Sequence, residues 1–264
     1  MKQNVLRSLL NQGKPTLGTH VLIPWPGMAE VIGLAGVFDY IEYVGEYSTF
    51  TMEQLENFGR AIDLFPNMSS MMKVEEQTRG FIAQRAIGHG IQNLLFTDIR
   101  TAEDVRECIR IVRAETPEDK GIHGASMRRN VGYVQYSGTP EWVQAMRDTV
   151  IALMIEKKAA MDNLEEILAV PGVDMVQFGP NDYSISVGRP GQSASPETQQ
   201  EQRRMIEMAL KKGVAPRVEI NSFEQAKPFI EMGVKHFCVG WDIRIIYEWS
   251  KAQGAAMRKL LGQA

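Results

Sequence analysis

The amino-acid sequence predicts one (β/α)8 TIM barrel built from the whole chain of 264 residues. Two observations support this prediction: short apolar or β-branched runs recur along the sequence, and segments with helical spacing separate them. Such an alternation of strands and helices is typical of a parallel sheet closed into a barrel. An open, doubly wound sheet is the alternative, but no GxGxxG pattern follows the first run. No linker rich in Pro, Gly or Ser divides the chain, so we predict a single domain over residues 1–264.

Each apolar run is a predicted strand, and the helical patterns lie between these runs. Over residues 51–65, for example, four apolar side chains recur at the spacing of one helix face. The predicted strands span residues 17–23, 39–45, 68–74, 91–97, 150–156, 174–180, 213–219 and 235–241. The other predicted helices span residues 76–89, 101–115, 162–170, 197–212 and 222–232.

The longest irregular segment covers about residues 118–139 and contains four glycines and two tyrosines. It is inserted between the fourth and fifth predicted strands. Loops at the C-terminal ends of barrel strands build the active sites of this fold. We therefore expect 118–139 to be an active-site loop at that end of the barrel.

Composition excludes several classes of protein. The net charge of −3 provides no basic surface for nucleic acid, and no apolar run reaches the roughly 18 residues of a membrane helix. The first residues lack the apolar centre of a signal peptide. Cys108 and Cys238 have no CxxC spacing, so neither a disulfide scaffold nor a thiolate zinc site is expected. The expected compartment is the cytoplasm.

Two predicted strands each end at a carboxylate. Glu156 ends the fifth strand and Asp182 follows the sixth. Adjacent parallel strands lie about 4.8 Å apart, so the two side chains are placed to share one ligand. A divalent cation such as Mg²⁺ or Mn²⁺ would remove their mutual repulsion. In the alternative interpretation, Glu156 pairs with Lys157 or Lys158, and Asp182 caps a turn.

Other polar residues follow strand ends and should meet at the same mouth of the barrel. His20 lies near the end of the first strand, Glu46 and Tyr47 follow the second, and Lys73 ends the third.

The stretch “MIEKKAAMDNLEEILAVPGVDMVQFGPNDYSISVGRPG” resembles the HpcH/HpaI aldolase family, the metal-dependent class II pyruvate aldolases. The family pattern there is Ile-Glu, an Asn some seven residues later, “GVD”, “GPxDLS” and a Gly. “GTHVLIPWPGMAEVIGLAGVFDYI”, “HGIQNLL” and “TAEDV” extend the resemblance more loosely over most of residues 15–245.

The resemblance implies a TIM barrel assembled as a hexamer, or trimer of dimers, with the last helix exchanged between subunits. It implies that Glu156 and Asp182 hold Mg²⁺, Mn²⁺ or Co²⁺, on which a 2-oxo acid binds and a pyruvate enolate forms. The implied reaction is the aldol cleavage of a 4-hydroxy-2-oxo acid. Backbone N–H groups around Gly179, Pro180, Asn181 and Asp182 would bind the pyruvate carboxylate.

The sequence departs from the family pattern at the residues that transfer protons. The family's D-x-E-H is Val44-Gly45-Glu46-Tyr47, which keeps Glu46 but replaces histidine with Tyr47. Where the family has R-V-P, this sequence has Lys73-Val74-Glu75. Lysine lacks the planar, two-point fork of the arginine guanidinium. Where the family has G-x-R-G, this sequence has Gly121-Ile122-His123-Gly124. His20 occupies a position at which relatives often carry an aromatic residue.

One hypothesis is a changed set of catalytic residues in which His20, His123 or Tyr47 is the acid/base and Lys73 stabilises the oxyanion. Each residue also has a structural interpretation, as barrel filler, loop residue or pocket lining. Trp25 and the 118–139 segment are expected to line the acceptor pocket. Arg128 is a candidate for binding a second substrate carboxylate, although a solvated surface position is the alternative.

Three other functions remain open. Lys73 could form a Schiff base with a carbonyl substrate, although that chemistry needs no carboxylate pair. The enolate could instead react in a condensation or in an acyl-CoA or citrate-type lyase. The third alternative is a non-catalytic protein that binds 2-oxo acids.

Overall fold

The computed structural model describes residues 1–263 and shows a closed barrel of eight parallel strands, which confirms the predicted TIM barrel. The strands neighbour one another in chain order, and the last pairs with the first. They are Thr16–Val21 (β1), Tyr40–Val44 (β2), Ser69–Val74 (β3), Asn93–Phe96 (β4), Ile151–Ile155 (β5), Met175–Phe178 (β6), Ala215–Ile220 (β7) and His236–Trp241 (β8).

Helices surround the barrel and close one of its ends. They are Val5–Asn11 (α1), Pro26–Ala35 (α2), Met52–Asp63 (α3), Arg79–Gly88 (α4), Ala102–Val112 (α5), Pro140–Asp148 (α6), Lys158–Asp162 (α7), Leu164–Leu168 (α8), Pro180–Ser186 (α9), Pro196–Lys212 (α10), Lys227–Glu231 (α11) and Asp242–Leu260 (α12). Each of the eight predicted strands overlaps an observed one.

Two predicted helices are divided in the structure. The segment 162–170 contains the end of α7 and all of α8, with Asn163 between them. The segment 222–232 begins with a 3-10 turn at Phe223–Ala226 before α11 starts. The first of these divided helices follows β5, whose C-terminal end carries Glu156.

The N-terminal end of the barrel is closed by α1. Leu6 is fully buried and joins an interior cluster with Tyr40, Met71 and Met154. Arg7 fixes the helix from the side, because its two terminal nitrogens each lie 2.6 Å from an oxygen of Asp174. The open end is therefore the C-terminal one, where the strands deliver their last residues.

The prediction that residues 118–139 form a loop at the open end is wrong for a single chain. Arg129 pairs with Asp63 at the end of α3 and donates to the carbonyl of His89 just beyond α4. These contacts lie at the N-terminal end of the barrel, because the segment begins after α5 has already returned the chain to that end. The glycine and tyrosine content indicated a loop but not the end of the barrel that it covers.

The last helix, α12, has large apolar side chains in solvent. Ile245, Tyr247 and Trp249 are 59%, 61% and 67% exposed, and only Asp242 of this helix is buried. Such a helix does not contribute a packed face to the barrel of its own chain. None of the helices within residues 1–263 combines the length and apolar character that crossing a bilayer requires.

Leu6→Ala is expected to destabilise the protein by about 2–5 kcal/mol, because it leaves a cavity where α1 fills the barrel. Denaturant unfolding should show the loss, and the Tm should fall by at least about 4 °C. Leu64→Ala is the matched control, since Leu64 is 65% exposed. Equal Tm values for the two variants would contradict the role of α1 as a packed plug.

Candidate active site

Residues from five neighbouring strand ends form one polar cluster at the open mouth. Lys73 lies in β3 and Glu156 directly follows β5, while Glu46 and Asp98 follow β2 and β4. Asp182 lies in the first turn of α9, just after β6. The barrel thus brings together residues that are far apart in the sequence, as the sequence analysis predicted for Glu46, Lys73, Glu156 and Asp182.

Glu156 is the buried centre of this cluster, and only 2% of its surface is exposed. Its Oε1 accepts a hydrogen bond from the backbone N–H of Asp98 at 3.0 Å. Burial raises the pKa of Glu156 to about 7, against the opposing effects of Lys73 and the Asp98 N–H. The negative charges of Asp182 and Glu46 raise this pKa further. Glu156 is therefore a carboxyl group that needs additional positive charge to ionise fully at neutral pH.

Gly179 leaves the space that the Glu156 carboxylate occupies. A Cβ atom at position 179 would lie 2.6 Å from Cβ of Glu156 and 2.7 Å from its Oε2. Cβ atoms essentially never approach other atoms this closely, so any larger residue would displace the carboxylate. The sequence “FGPND” therefore needs glycine at this position because of a close approach to β5.

The predicted carboxylate-binding segment 179–182 has fewer free donors than its length suggests. The N–H of Gly179 donates to the carbonyl of Ile155 at 3.1 Å, and proline has no N–H. Asn181 and Asp182 remain, in the first turn of α9, where N–H groups have no helical partners.

Lys73 links Glu156 to the residues after β2. Its Nζ lies 2.6 Å from Oε2 of Glu46 and donates to Oη of Tyr47 at 2.9 Å. Burial lowers the pKa of Lys73, but Tyr47, Glu156 and Glu46 outweigh burial and the net pKa is raised. Burial raises the pKa of Tyr47 to about 12 in spite of Lys73. At neutral pH, Lys73 is thus charged and Tyr47 is a neutral hydrogen-bonding group.

Asp98 and Lys157 also belong to the cluster, although the sequence analysis did not propose either as a site residue. Nζ of Lys157 lies 2.8 Å from Oδ1 of Asp98 and 3.4 Å from Oδ1 of Asp182. Burial raises the pKa of Asp98, but Lys157 outweighs it and the net pKa is lowered. The available signal was the position of Asp98 directly after the fourth apolar run.

In the alternative interpretation, Glu156 pairs with Lys157 or Lys158, and the structure does not show this pairing. Lys157 contacts Asp182 rather than Glu156, and Lys158 pairs with Asp162 on the surface. Glu156 therefore has no partner among its adjacent lysines.

His20 lies elsewhere in the barrel mouth, on β1. It is 4% exposed, and its ring packs edge-on against Trp241 with 5.4 Å between ring centroids. Nε2 of His20 lies 3.8 Å from Oε1 of Glu219 on β7, a residue that the sequence analysis did not identify. Trp25, the residue before α2, is 60% exposed at the same end of the barrel.

The structure does not bring His123 and Arg128 to the cluster within one chain. His123 is buried against Trp142 of α6, with 5.9 Å between ring centroids, and burial lowers its pKa to about 4. Arg128 donates to the carbonyl of Gln84 in α4. Both belong to the 118–139 segment at the N-terminal end, so their predicted site roles do not fit this chain's own mouth.

The carboxylates at the mouth fit a small divalent cation as a pair. Glu156 is buried, ionises reluctantly and lies close enough to Asp182 for the two charges to interact. Mg²⁺ and Mn²⁺ are typically held by one or two protein carboxylates, with their other positions left for water and substrate. Among residues 1–263, no group of three or more His, Cys, Asp or Glu side chains is arranged for a metal.

Comparison with known proteins identifies the family. The sequence model of the HpcH/HpaI aldolase/citrate lyase family matches residues 54–247, which include Lys73, Glu156 and Asp182. The chain belongs to the HpcH/HpaI aldolase/citrate lyase family. The predicted resemblance is thereby confirmed.

Individual HpcH/HpaI relatives are similar over nearly their whole lengths. The 4-hydroxy-2-oxo-heptane-1,7-dioate aldolase of Shigella boydii is 27% identical over 96% of this chain and 94% of its own. The hydroxypyruvate/pyruvate aldolase of Delftia acidovorans is 25% identical over 92% and 88%. The crystal structure of a family protein from Burkholderia cenocepacia superposes with a TM-score of 0.87 at 23% identity, over 97% of this chain and 100% of its own.

The raised pKa of Glu156 makes protein stability depend on pH. Its protonated form stabilises the folded state below its ordinary pKa of 4.5, and this contribution is lost as the pH rises to about 7. Relative to Glu156→Gln, the wild-type free energy of unfolding should therefore fall by up to about 3 kcal/mol between pH 4.5 and 8. Denaturant unfolding with EDTA tests this, and parallel pH profiles of the two proteins would contradict it.

Proposed function

We propose that this HpcH/HpaI protein is a divalent-metal-dependent carbon–carbon lyase. It cleaves a 4-hydroxy-2-oxo acid into pyruvate and an aldehyde through a pyruvate enolate. The observation that carries the proposal is the buried Glu156 carboxyl, with a pKa raised to about 7, beside Asp182 and Lys73. This arrangement concentrates charged groups of both signs at the C-terminal end of the barrel.

In this proposal Glu156 and Asp182 hold the cation, which is Mg²⁺, Mn²⁺ or Co²⁺. When bound, such a cation supplies positive charge that polarises the 2-oxo group and favours the enolate. It also provides the charge that Glu156 requires in order to ionise at neutral pH, because opposite charge lowers the pKa of a carboxyl group.

Lys73 provides a second positive charge at the mouth. Its ammonium group stays protonated beside Glu46 and Tyr47, so it can stabilise negative charge on the 2-oxo oxygen. A lysine acts as a point charge where the family's arginine offers a planar fork, so we expect orientation of the substrate to depend on other groups. The N–H groups of Asn181 and Asp182 are the candidates for binding the substrate carboxylate.

Two alternative chemistries are separated by the state of Lys73 and by the products. A Schiff base requires a neutral lysine, whereas Glu46, Glu156 and Tyr47 favour the charged form of Lys73. Condensation of the enolate with a second carbonyl compound, as in a citrate-forming reaction, would use the same cluster. Product analysis with oxaloacetate or acyl-CoA donors distinguishes condensation from cleavage.

The purified protein should release pyruvate from 4-hydroxy-2-oxo acids when Mg²⁺, Mn²⁺ or Co²⁺ is supplied, and EDTA should abolish the activity reversibly. Glu156→Gln and Asp182→Asn should each lower kcat/KM at least about 100-fold, because they remove charge that holds the cation. A coupled assay that detects pyruvate measures this.

Asp162→Asn is the matched control for Asp182→Asn, since Asp162 makes only a surface pair with Lys158 at 2.6 Å. Lys73→Ala should cost at least about 100-fold in turnover. Binding of metal and 2-oxo acid without any product would instead support a non-catalytic protein. A borohydride-trapped adduct on Lys73 would establish the Schiff-base alternative.

We further propose that the chain forms a homo-oligomer in which α12 is exchanged with a neighbouring subunit. The support is the exposed apolar surface of Ile245, Tyr247 and Trp249, which the helix's own barrel does not cover. Exchange of an identical element is a common route to symmetric assemblies.

Trp249→Glu is expected to lower the molar mass in solution from a multimer to smaller species, because it places a charge in the proposed apolar contact. Light scattering coupled to size-exclusion chromatography measures this. Lys259→Glu, at an exposed position near the end of the same helix, is the control for added charge. A wild-type protein that elutes as a monomer would rule out the exchange.

A further inference from the structure

A second polar network fills the centre of the barrel, apart from Glu156. Arg217 of β7 is fully buried and pairs with Glu42 of β2, which is 2% exposed. The Arg217 guanidinium also donates to Tyr40 Oη at 2.7 Å and to Oε1 of Gln177 on β6. Three strands are thus joined across the barrel by one side chain.

Arg217 fixes the orientation of the Gln177 amide. A guanidinium only donates hydrogen bonds, so the amide oxygen of Gln177 must face it and the amide NH₂ must point away. That NH₂ donates to Oε2 of Glu219 at 3.1 Å. The buried arginine therefore determines, through Gln177, where the Glu219 carboxylate lies.

The other oxygen of Glu219 faces His20. Oε1 lies 3.8 Å from His20 Nε2, which is longer than a hydrogen bond, so this oxygen can still accept a proton. Nδ1 of His20 lies 3.5 Å from Sγ of Cys238, and burial raises the pKa of that thiol. In the tautomer in which Nδ1 accepts from this thiol, the imidazole proton lies on Nε2 and faces Glu219.

Glu219 is accessible from the mouth, whereas its neighbours are not. Its side chain is 43% exposed, against 5% for His20. Glu219 lies on β7, and its partner Gln177 lies on the adjacent β6, whose following helix carries Asp182. Neighbouring strands therefore present Asp182 and Glu219 at the same end of the barrel.

We propose that Glu219 is the catalytic base that accepts the hydroxyl proton of the substrate, with His20 and Gln177 as positioning residues. This inference rests on the proposed lyase function. Glu219 thereby takes the acid/base role for which Tyr47 and His123 were candidates. Tyr47 is neutral, and His123 lies at the other end of the barrel. Proton transfer is thereby moved from the β2 side of the mouth, where the family keeps its histidine, to the β6–β7–β1 side.

The proposed step is a retro-aldol cleavage. Oε1 of Glu219 takes the proton from the 4-hydroxyl, and the C4–O bond becomes the carbonyl of the departing aldehyde. The C3–C4 bond breaks, and its electron pair forms the C2–C3 double bond while negative charge moves to the 2-oxo oxygen. The enolate is then protonated at C3 by water, which yields pyruvate, and Glu219 releases its proton to solvent. No oxidant or additional reactant is needed.

Glu219→Gln tests the proposal because it keeps the shape of the side chain and removes its basicity. Cleavage of a 4-hydroxy-2-oxo acid should fall at least about 100-fold in kcat, as expected for loss of a general base. Decarboxylation of oxaloacetate by the metal-loaded enzyme should change less than about 3-fold, since loss of CO₂ forms the same enolate without a hydroxyl proton. Glu166→Gln, at an exposed glutamate on α8, is the control and should leave both rates unchanged.

The two positioning residues require a readout that simple structural damage would not give. His20→Leu should lower kcat for cleavage at least tenfold with little change in KM or in decarboxylation. His20→Gln, which retains an N–H donor, should restore most of the cleavage rate. If His20→Leu lowered cleavage and decarboxylation equally, His20 would have only a structural role, and the proposal that it positions Glu219 would be wrong.

The outcomes separate this inference from the function on which it rests. A wild-type enzyme that neither cleaves nor decarboxylates refutes the lyase function, and the role of Glu219 falls with it. A wild-type enzyme active in both reactions, together with a Glu219→Gln variant that keeps cleavage or loses both reactions equally, refutes the role of Glu219 alone.

Discussion

The site is organised by one constraint: a carboxyl group is buried where the barrel opens. Glu156 is 2% exposed, so its charged form lacks most of the hydration that it would have in water. The Asp98 N–H and the Lys73 ammonium compensate part of this cost, and Gly179 leaves space for the carboxylate. Lys73 in turn owes part of its raised pKa to Glu156, so each residue stabilises the charged form of the other.

The departures from the HpcH/HpaI pattern become coherent when the two sides of the mouth are compared. On the β2–β3 side, Tyr47, Glu46 and Lys73 hold one another, which leaves this side with a fixed positive charge and a neutral hydroxyl. On the β7–β1 side, Oε1 of Glu219 lies beside His20 and remains an accessible basic oxygen. A barrel tolerates such a transfer of roles, because every strand ends at the same opening.

Much of the fold followed from the sequence because the strands of a parallel barrel are covered on both sides. Their continuous apolar runs were visible without any partner information. Glu46, Lys73, Glu156 and Asp182 were found by the same reasoning, since each lies at or just after the end of a run. Asp98 obeyed the same rule and was overlooked.

The errors have a topological cause. The 118–139 segment, with His123 and Arg128, follows a helix that has already returned the chain to the closed end, and loop composition does not report which end a loop covers. Arg217 and Glu219 were missed for a different reason. In “VAPRVEI” they appear as ordinary polar positions of a strand. Their spacing of two was the available signal that both point into the barrel.

The plug formed by α1 also determines how molecules can travel through the protein. Leu6 fills the lower end and the Arg217 network fills the centre, so no passage runs through the barrel, and entry and exit share one opening. In a cleavage reaction the fragment nearer the opening must depart before the one nearer Glu156. Geometry alone would then impose a fixed sequence of release, with the aldehyde first and pyruvate last.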